Sequence, residues 1–241
     1  MALISVMVFC ILLIISAPYG RHARSGWGRG VQAKAAWIMM EAPASLIKLA
    51  AMFVLSLNPV IICLLLVWQI HYFHRAFIYP FSLRTERKMP FSVMGIAFFF
   101  NAANGLLNAW HFRLYADWYT LDWFLTSNFW GGLGLFVTGY VLIKKADRSL
   151  AKLCNPGPGS TASDYVIPYG PLYRYVSYPN YLGETIQCMG WALMTLSPAG
   201  WVFFIWTVAN LLPRAISHHR WYLETFQHYP RERKAMIPFL I

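Results

Sequence analysis

The chain has 241 residues, of which 58% are hydrophobic and only 12% are charged, and its mean hydropathy is +0.45. Soluble domains carry about 25% charged residues, so the composition excludes an ordinary soluble protein and indicates a membrane protein. The net charge of +11 would suit a nucleic-acid partner, but the basic residues lie between apolar runs, as membrane orientation requires, and we expect no such partner. The four cysteines show no metal-type spacing, so we expect neither a disulfide nor a metal site. Residues 1–241 are too few for a helical bundle plus a second sizeable domain, which predicts a single domain.

Seven apolar segments approach the roughly 20 residues that a helix needs to cross a bilayer. They predict an all-α, multi-pass membrane protein with spans at about 2–18, 35–56, 59–80, 90–112, 127–145, 179–197 and 199–222. The first segment has neither a basic start nor a clear cleavage site, so we interpret it as a membrane anchor and not as a signal peptide.

The basic residues predict how these spans are oriented. If the N-terminus lies outside, 17 of the 20 Lys and Arg residues fall in inner segments. The outer loop 113–126 instead carries Asp117 and Asp122. Because inner loops are enriched in Lys and Arg, we expect a cytosolic C-terminus, in a bacterial inner membrane or in the endoplasmic reticulum.

The inner segment from about 146 to 178 is long and polar, and it contains "NPGPGSTASDY". Pro and Gly prevent a helix from continuing there. Loops of this length are usually functional or disordered, and this one lies on the same side as the C-terminal cluster described below.

Glu41, in "AAWIMMEAPAS", lies a few residues into the second span. An ionisable group within a span costs roughly 2.5–3.5 kcal/mol on insertion scales, which makes it a functional candidate. The competing interpretation is a structural pair with a nearby basic residue, and the sequence leaves both open.

The stretch "QIHYFHRAFIY", residues 69–79, places His71, Arg75 and Tyr79 on one helix face, with Gln69 and Tyr72 beside them. A snorkelling, aromatic helix end would explain Arg75 and Tyr79. It explains the other three less well, because polar groups inside a span need partners.

Pro179 opens a helix in "YRYVSYPNYLGETI", where Asn180 and Glu184 share a face within the first turns. Polar residues at a helix start satisfy free backbone N–H groups, and a carboxylate there is favoured by the helix dipole. Structural and functional interpretations of this pair are equally supported.

The stretch "RAISHHRWYLETF", residues 214–226, ends the last span. Asn210, Arg214, His218 and Tyr222 are each four residues apart and form one polar stripe. Such a stripe suits phosphates and ribose, with Arg making the bidentate phosphate contact. Arg220 and His219 point away from it, towards lipid headgroups.

Together these stretches resemble the steroid 5α-reductase family. The quoted segments "AAWIMMEAPAS", "HYFHRAFIYP" and "YRYVSYPNYLGE" match the family, and "PRAISHHRWYLETFQHYPRERKAMIPFLI" is the most specific. The resemblance covers about residues 35–241.

The resemblance implies a seven-helix membrane enzyme that uses NADPH to reduce a Δ4 double bond conjugated to a 3-ketone. It implies that Glu41 and Tyr72 bind the ketone oxygen. It also implies a set of residues around or near the cofactor: Arg84, Arg87, Asp147, Tyr165, Asn180, Glu184, Arg214, His218 and Tyr222. Asn210 joins this set through the polar stripe.

An enone accepts hydride only if its carbonyl oxygen can take up negative charge, so the site needs donors aimed at that oxygen in a dry pocket. Tyr72 is one donor. Glu41 is the other if it is protonated, or else it is ionised and orients Tyr72, and both alternatives stay open. Four bulky residues are expected to wall a flat apolar substrate: Trp37, Phe100, Phe203 and Trp206.

The expected partners are a lipophilic 3-oxo-Δ4-steroid from the bilayer, membrane lipid, and a dinucleotide from the cytosol. We expect the protein to be a monomer. Without a GxGxxG motif, helix ends and loops must hold the cofactor. The alternatives are a reductase of another lipid enone or enoyl thioester, a sterol-binding protein without chemistry, and a membrane methyltransferase using S-adenosylmethionine. The Glu41/Tyr72 pair argues against the methyltransferase.

Overall fold

The computed structural model describes residues 2–54, 58–83, 88–153 and 165–241. The chain is mostly helical, which confirms the predicted class. The helices are α1 (Ala2–Ile14), α2 (Ala33–Val54), α3 (Pro59–Phe73), α4 (Tyr79–Ser82), α5 (Phe91–Leu114), α6 (Ser127–Leu153), α7 (Pro179–Thr195) and α8 (Pro198–Thr225). Short 3-10 helices cover Gly20–His22, Ala116–Trp118, Leu121–Leu125 and Pro171–Tyr173.

Within the described residues, four helical rods are long and apolar enough to cross a membrane: α2, the continuous rod Pro59–Ser82, α5 and α8. By contrast, α1 has 13 residues and α7 has 17, which is short of the roughly 20 that a bilayer requires. The 27 residues of α6 include several glycines and a charged last part. Seven spans and the orientation of the termini therefore stay predictions.

Local sequence explains where the helices begin. Asn58 caps α3, where its side chain accepts a hydrogen bond from the backbone N–H of Ile61 at 3.0 Å. Ser197 caps α8 in the same way, through Gly200 N at 2.9 Å. In both helices a proline follows the cap at the first position, where its missing N–H costs nothing.

Two short strands were not predicted. Strands β1 (Gly30–Gln32) and β2 (Lys88–Pro90) pair antiparallel, with Val31 opposite Met89. Three residues are too few to show an alternating pattern in the sequence. The pairing ties the entry to α2 to the entry to α5.

Glycines bring the backbones of α6 and α7 into direct contact. A Cβ on Gly139 would lie 2.5 Å from the carbonyl oxygen of Gly183, and a Cβ on Gly132 would lie 2.7 Å from that of Gly190. Within each helix the two glycines are seven residues apart, so they recur on one face after two turns. Small residues permit such close helix approach in membranes, and this crossing fixes the position of Glu184 beside Gly183.

We expect Gly139→Ala to lower the free energy of unfolding by roughly 1–3 kcal/mol, because the added methyl group meets backbone that cannot yield. Gly134→Ala, on the same helix, is the matched control, since a Cβ at Gly134 meets open space. It should raise stability by up to about 1 kcal/mol through helix propensity. Thermal midpoints in detergent would measure both changes, and equal midpoints would contradict the close crossing.

The C-terminal tail is bound to the segment before α7. Ser177 N donates to Lys234 O at 2.8 Å, and Tyr178 N donates to Ala235 O at 3.1 Å. The buried Arg233 donates through Nη1 to Pro168 O at 2.9 Å. These bonds hold the start of α7 against the end of the chain.

Candidate functional site

The centre of the site is a guanidinium between two carboxylates. Arg75 Nε lies 3.3 Å from Glu41 Oε1, and Arg75 Nη1 lies 3.0 Å from Glu184 Oε1. Asn101, on α5, donates to the Met40 carbonyl at 2.7 Å and to Glu41 Oε2 at 3.4 Å. The cluster therefore joins α2, α5, α7 and the π-helical turn that carries Arg75.

That turn, His74–Ile78, explains how Arg75 reaches the cluster. It lies between α3 and α4 within one continuous rod. Single π turns occur often at functional sites. The Arg75 side chain is only 17% exposed, and its guanidinium lies 5.1 Å from the Trp37 ring centroid and 5.9 Å from that of Tyr79.

The snorkelling interpretation of Arg75 and Tyr79 is therefore wrong. The helix continues to Ser82 instead of ending near Tyr79, so Arg75 points into the bundle and not to an interface. The basic partner expected for Glu41 on the structural interpretation is present, and it is Arg75. Gln69 also has a structural role, since it exchanges two hydrogen bonds with Ser45, at 2.7 and 2.8 Å.

Tyr72 lies next to this cluster on α3. Its ring is 6% exposed and stacks on Trp68 with the centroids 4.4 Å apart. The phenol and the Glu41 carboxylate interact electrostatically. Within the described parts of the chain, the Tyr72 hydroxyl has no hydrogen-bond partner, so it is available to a ligand.

Aromatic rings extend from Tyr72 across three helices. Trp68 lies 5.4 Å from Phe203 on α8, Phe203 lies 6.4 Å from Phe100 on α5, and Phe100 stacks on Trp206 at 4.2 Å. Three of the four predicted wall residues are thus in contact with one another. The fourth, Trp37, lies apart from them, beside Arg75.

The polar stripe on α8 faces the segment that follows α1. His22 Nε2 and His218 Nδ1 are 3.1 Å apart, and Ser16 Oγ lies 2.6 Å from Ser217 Oγ. Arg214 Nη2 donates to the Tyr181 hydroxyl at 3.2 Å. Sequence reasoning missed this N-terminal segment, whose one signal is the run of basic residues in "GRHAR".

Arg21 completes this region of the site. Its guanidinium lies 4.6 Å from the Trp221 ring, 4.7 Å from that of Tyr222 and 4.9 Å from that of Tyr165. Arg214 lies 4.9 Å from the ring of Tyr19. Two guanidinium groups, those of Arg21 and Arg214, thus lie against aromatic faces beside the polar stripe.

This arrangement fits an anionic dinucleotide. Arg21 Nη1 and Arg214 Nε are buried and have no hydrogen-bond partner within the described residues. Neither arginine pairs with an acid there, because both ion pairs in the described ranges belong to Arg75. Burial, aided by the charges of Arg21 and Arg24, lowers the pKa of His22. A neutral His22 does not add repulsion to its contact with His218.

The remaining predicted cofactor residues divide into three groups. Glu184 and Asp147 interact with Arg75 instead of with the stripe. Asn180 has a buried Oδ1 without a partner in the described chain, and Asn210 is half-buried on α8. Arg84 and Arg87 lie outside the described residues.

His219 and Arg220 differ from each other in environment. Arg220 is exposed, in line with its expected outward position. The prediction that His219 points to headgroups is wrong, because His219 Nδ1 lies 2.6 Å from Ser177 Oγ and its ring packs on Tyr229. The returning C-terminal tail covers this face of α8, which a pattern of spans cannot reveal.

Known proteins resemble the chain over nearly its whole length. The model of the family described as 3-oxo-5-alpha-steroid 4-dehydrogenase matches residues 87–241. Steroid 5-alpha-reductase DET2 of Arabidopsis thaliana is 39% identical, over 95% of this chain and 90% of its own. The 3-oxo-5-alpha-steroid 4-dehydrogenase 1 of Bos taurus is 36% identical over 99% and 93%, and that of Homo sapiens 38% identical over 93% and 86%. The chain therefore belongs to the steroid 5-alpha-reductase family, the 3-oxo-5-alpha-steroid 4-dehydrogenases.

Proposed function

We propose that the protein is a multi-pass membrane enzyme that uses NADPH to reduce the Δ4 double bond of 3-oxo-steroids to 5α-dihydro products. Family membership makes it an oxidoreductase acting on CH–CH groups. One observation supports the proposed steroid substrate and NADPH cofactor together. Within a single turn of α7, Glu184 contacts Arg75 and Tyr181 contacts Arg214. The same turn of α7 therefore lies beside the Glu41 and Tyr72 cluster and beside the polar stripe on α8.

Tyr72 and Glu41 are proposed to bind the ketone oxygen of the enone. A phenol in an apolar, water-excluded setting is a strong donor to an oxygen that gains negative charge. Glu41 is the second donor, in its protonated form.

Charge balance supports a protonated acid. Glu41 and Glu184 both contact the single guanidinium of Arg75. This cluster of three side chains would carry a net negative charge if both acids were ionised. One added proton makes it neutral, and buried charge that is not paired is costly.

Arg21 and Arg214 are proposed to bind the phosphates of the dinucleotide, through guanidinium N–H groups that lack protein partners. The rings of Tyr165, Tyr178 and Trp221 hold the Arg21 guanidinium in place for this contact. When bound, NADPH would supply the hydride for the β-carbon of the enone, and a proton drawn from water would complete the α-carbon. His218 and Tyr222 line the same stripe and orient the ligand by hydrogen bonds.

The substrate is proposed to enter from the bilayer, against Phe100, Phe203 and Trp206. These rings exclude water, which strengthens the electrostatic effect of the donors on the ketone oxygen. Trp37 acts differently, by packing on Arg75 and holding it between the two acids.

The decisive experiment incubates the purified, detergent-solubilised protein with NADPH and a Δ4-3-ketosteroid, and identifies the product by mass spectrometry and chromatography. We expect the 5α-dihydro steroid, with one NADPH oxidised per product. A matched steroid without the Δ4 bond should leave NADPH unoxidised. Binding of S-adenosylmethionine without binding of NADPH would overturn the proposal, as would a lack of product with any lipid enone.

Arg214→Ala should weaken cofactor binding, because a charge-assisted phosphate contact is worth roughly 1.5–3 kcal/mol. That predicts a KM for NADPH raised by about 10- to 150-fold, with kcat changed far less. Arg220→Ala is the control, since Arg220 is an exposed arginine on the same helix. An unchanged KM in Arg214→Ala would refute the phosphate assignment.

A further inference from the structure

Lys48 is a buried basic residue that the proposed reaction does not use. It lies on α2, it is fully buried, and its Nζ has no hydrogen-bond partner within the described residues. The ammonium lies 2.7 Å from the ring centroid of Trp68 and 4.6 Å from that of Trp191. A ring face attracts a cation but offers no lone pair for its three N–H donors, so these donors lack an acceptor.

A second unpaired donor belongs to the same neighbourhood. Trp191 Nε1 donates to Asn108 Oδ1 at 3.0 Å, and Asn108 Nδ2 donates to Asn104 Oδ1 at 3.1 Å. Asn104 Nδ2, at the end of this chain of amides, is buried and has no partner among the described residues. Two buried donors, Lys48 Nζ and Asn104 Nδ2, therefore lack an acceptor within the described residues.

The position of Lys48 relative to Glu41 suggests that the missing hydrogen-bond acceptor is part of the bound substrate. The two residues are seven apart on one helix. Their Cα atoms therefore lie on the same face, about 10.5 Å apart along the helix axis. That separation is comparable with the length of a fused four-ring nucleus. Trp68, which lies under the Lys48 ammonium, is also the ring on which Tyr72 stacks. One end of such a nucleus at Glu41 and Tyr72 would therefore bring its other end to Lys48.

We propose that Lys48 is a specificity-determining residue that binds a carboxylate at the end of the substrate remote from the enone. This inference rests on the proposed function, and it narrows the substrate class to acidic 3-oxo-Δ4-steroids. A carboxylate supplies lone pairs that accept hydrogen bonds from the ammonium, and it supplies the negative charge that pairs with it.

The test compares two Δ4-3-ketosteroids that differ only at the remote end, one with a carboxylate and one with a hydrocarbon of similar size. For the wild type, we expect kcat/KM to be higher for the acid. In Lys48→Met this preference should fall roughly 10- to 100-fold, through a raised KM for the acid alone. Lys48→Gln, which keeps a donor without the charge, should lie between the two. Lys34→Met, at an exposed position on the same helix, should behave as wild type.

Direct binding of both steroids, measured by equilibrium dialysis without NADPH, separates this inference from the proposed reaction. Reduction of both steroids with equal efficiency by wild type and Lys48→Met would overturn the role of Lys48 and leave the reaction intact. Failure of the wild type to reduce either steroid would overturn the reaction. In that case, Lys48-dependent binding of the acid would still support the site, and Lys48-independent binding would refute it.

Discussion

Replacing Tyr72 with phenylalanine should reduce kcat by roughly 10²–10⁴, the usual contribution of a positioned proton donor. The ring would keep its stacking on Trp68, so the aromatic wall should stay intact. Only the hydroxyl, which has no partner in the described chain, is lost. Steady-state rates with a Δ4-3-ketosteroid at saturating NADPH would measure the effect.

Two further measurements make this result specific. The dissociation constant for NADPH should stay nearly unchanged in Tyr72→Phe, because the phenol lies in the steroid half of the site. Tyr169→Phe, at an exposed tyrosine, should keep full activity. Wild-type turnover in Tyr72→Phe would rule out the phenol as the group that polarises the ketone.

Replacing Arg75 with methionine should have the largest effect on stability. The change would leave Glu41 and Glu184 facing each other in a buried site without the cation between them. Removing one partner of a buried ion pair typically costs roughly 3–5 kcal/mol. We expect a strongly lowered thermal midpoint together with loss of reductase activity.

A second-site change distinguishes charge from packing. If Glu184 is also replaced by glutamine, no ionised carboxylate is left in the buried site without its cation, and the double variant should recover much of the lost midpoint. Arg113→Met, at an exposed arginine at the end of α5, is the control and should keep the wild-type midpoint. A double variant no more stable than Arg75→Met would show that the guanidinium acts mainly by filling space.

The sequence predicted the helices better than it predicted their contacts. Long apolar runs located all the main helices, and Pro marked the starts of α3, α7 and α8, because these signals are local. The four-residue spacing on α8 likewise predicted that Arg214, His218 and Tyr222 lie together, and the structure has all three facing one N-terminal segment.

The contacts that the sequence missed depend on distant segments. The glycines of α6 and α7 become informative only when the two helices are known to pack. The π turn leaves no pattern in the sequence, so a snorkelling helix end remains one explanation of Arg75 at the level of sequence. Arg21 was overlooked because a short basic run after an apolar anchor is ordinary in membrane proteins. Its four aromatic neighbours come from other parts of the chain.

The meeting of His22 with His218, 196 positions away, has a consequence for biosynthesis. A nascent chain cannot assemble this proposed cofactor site until its last helix, α8, has left the ribosome and packed against the N-terminal segment. The site is therefore present only in chains whose membrane insertion is complete. A ligand that recognises only this finished form stabilises the entire bundle by mass action, so newly made protein should survive quality control better in cells rich in that ligand.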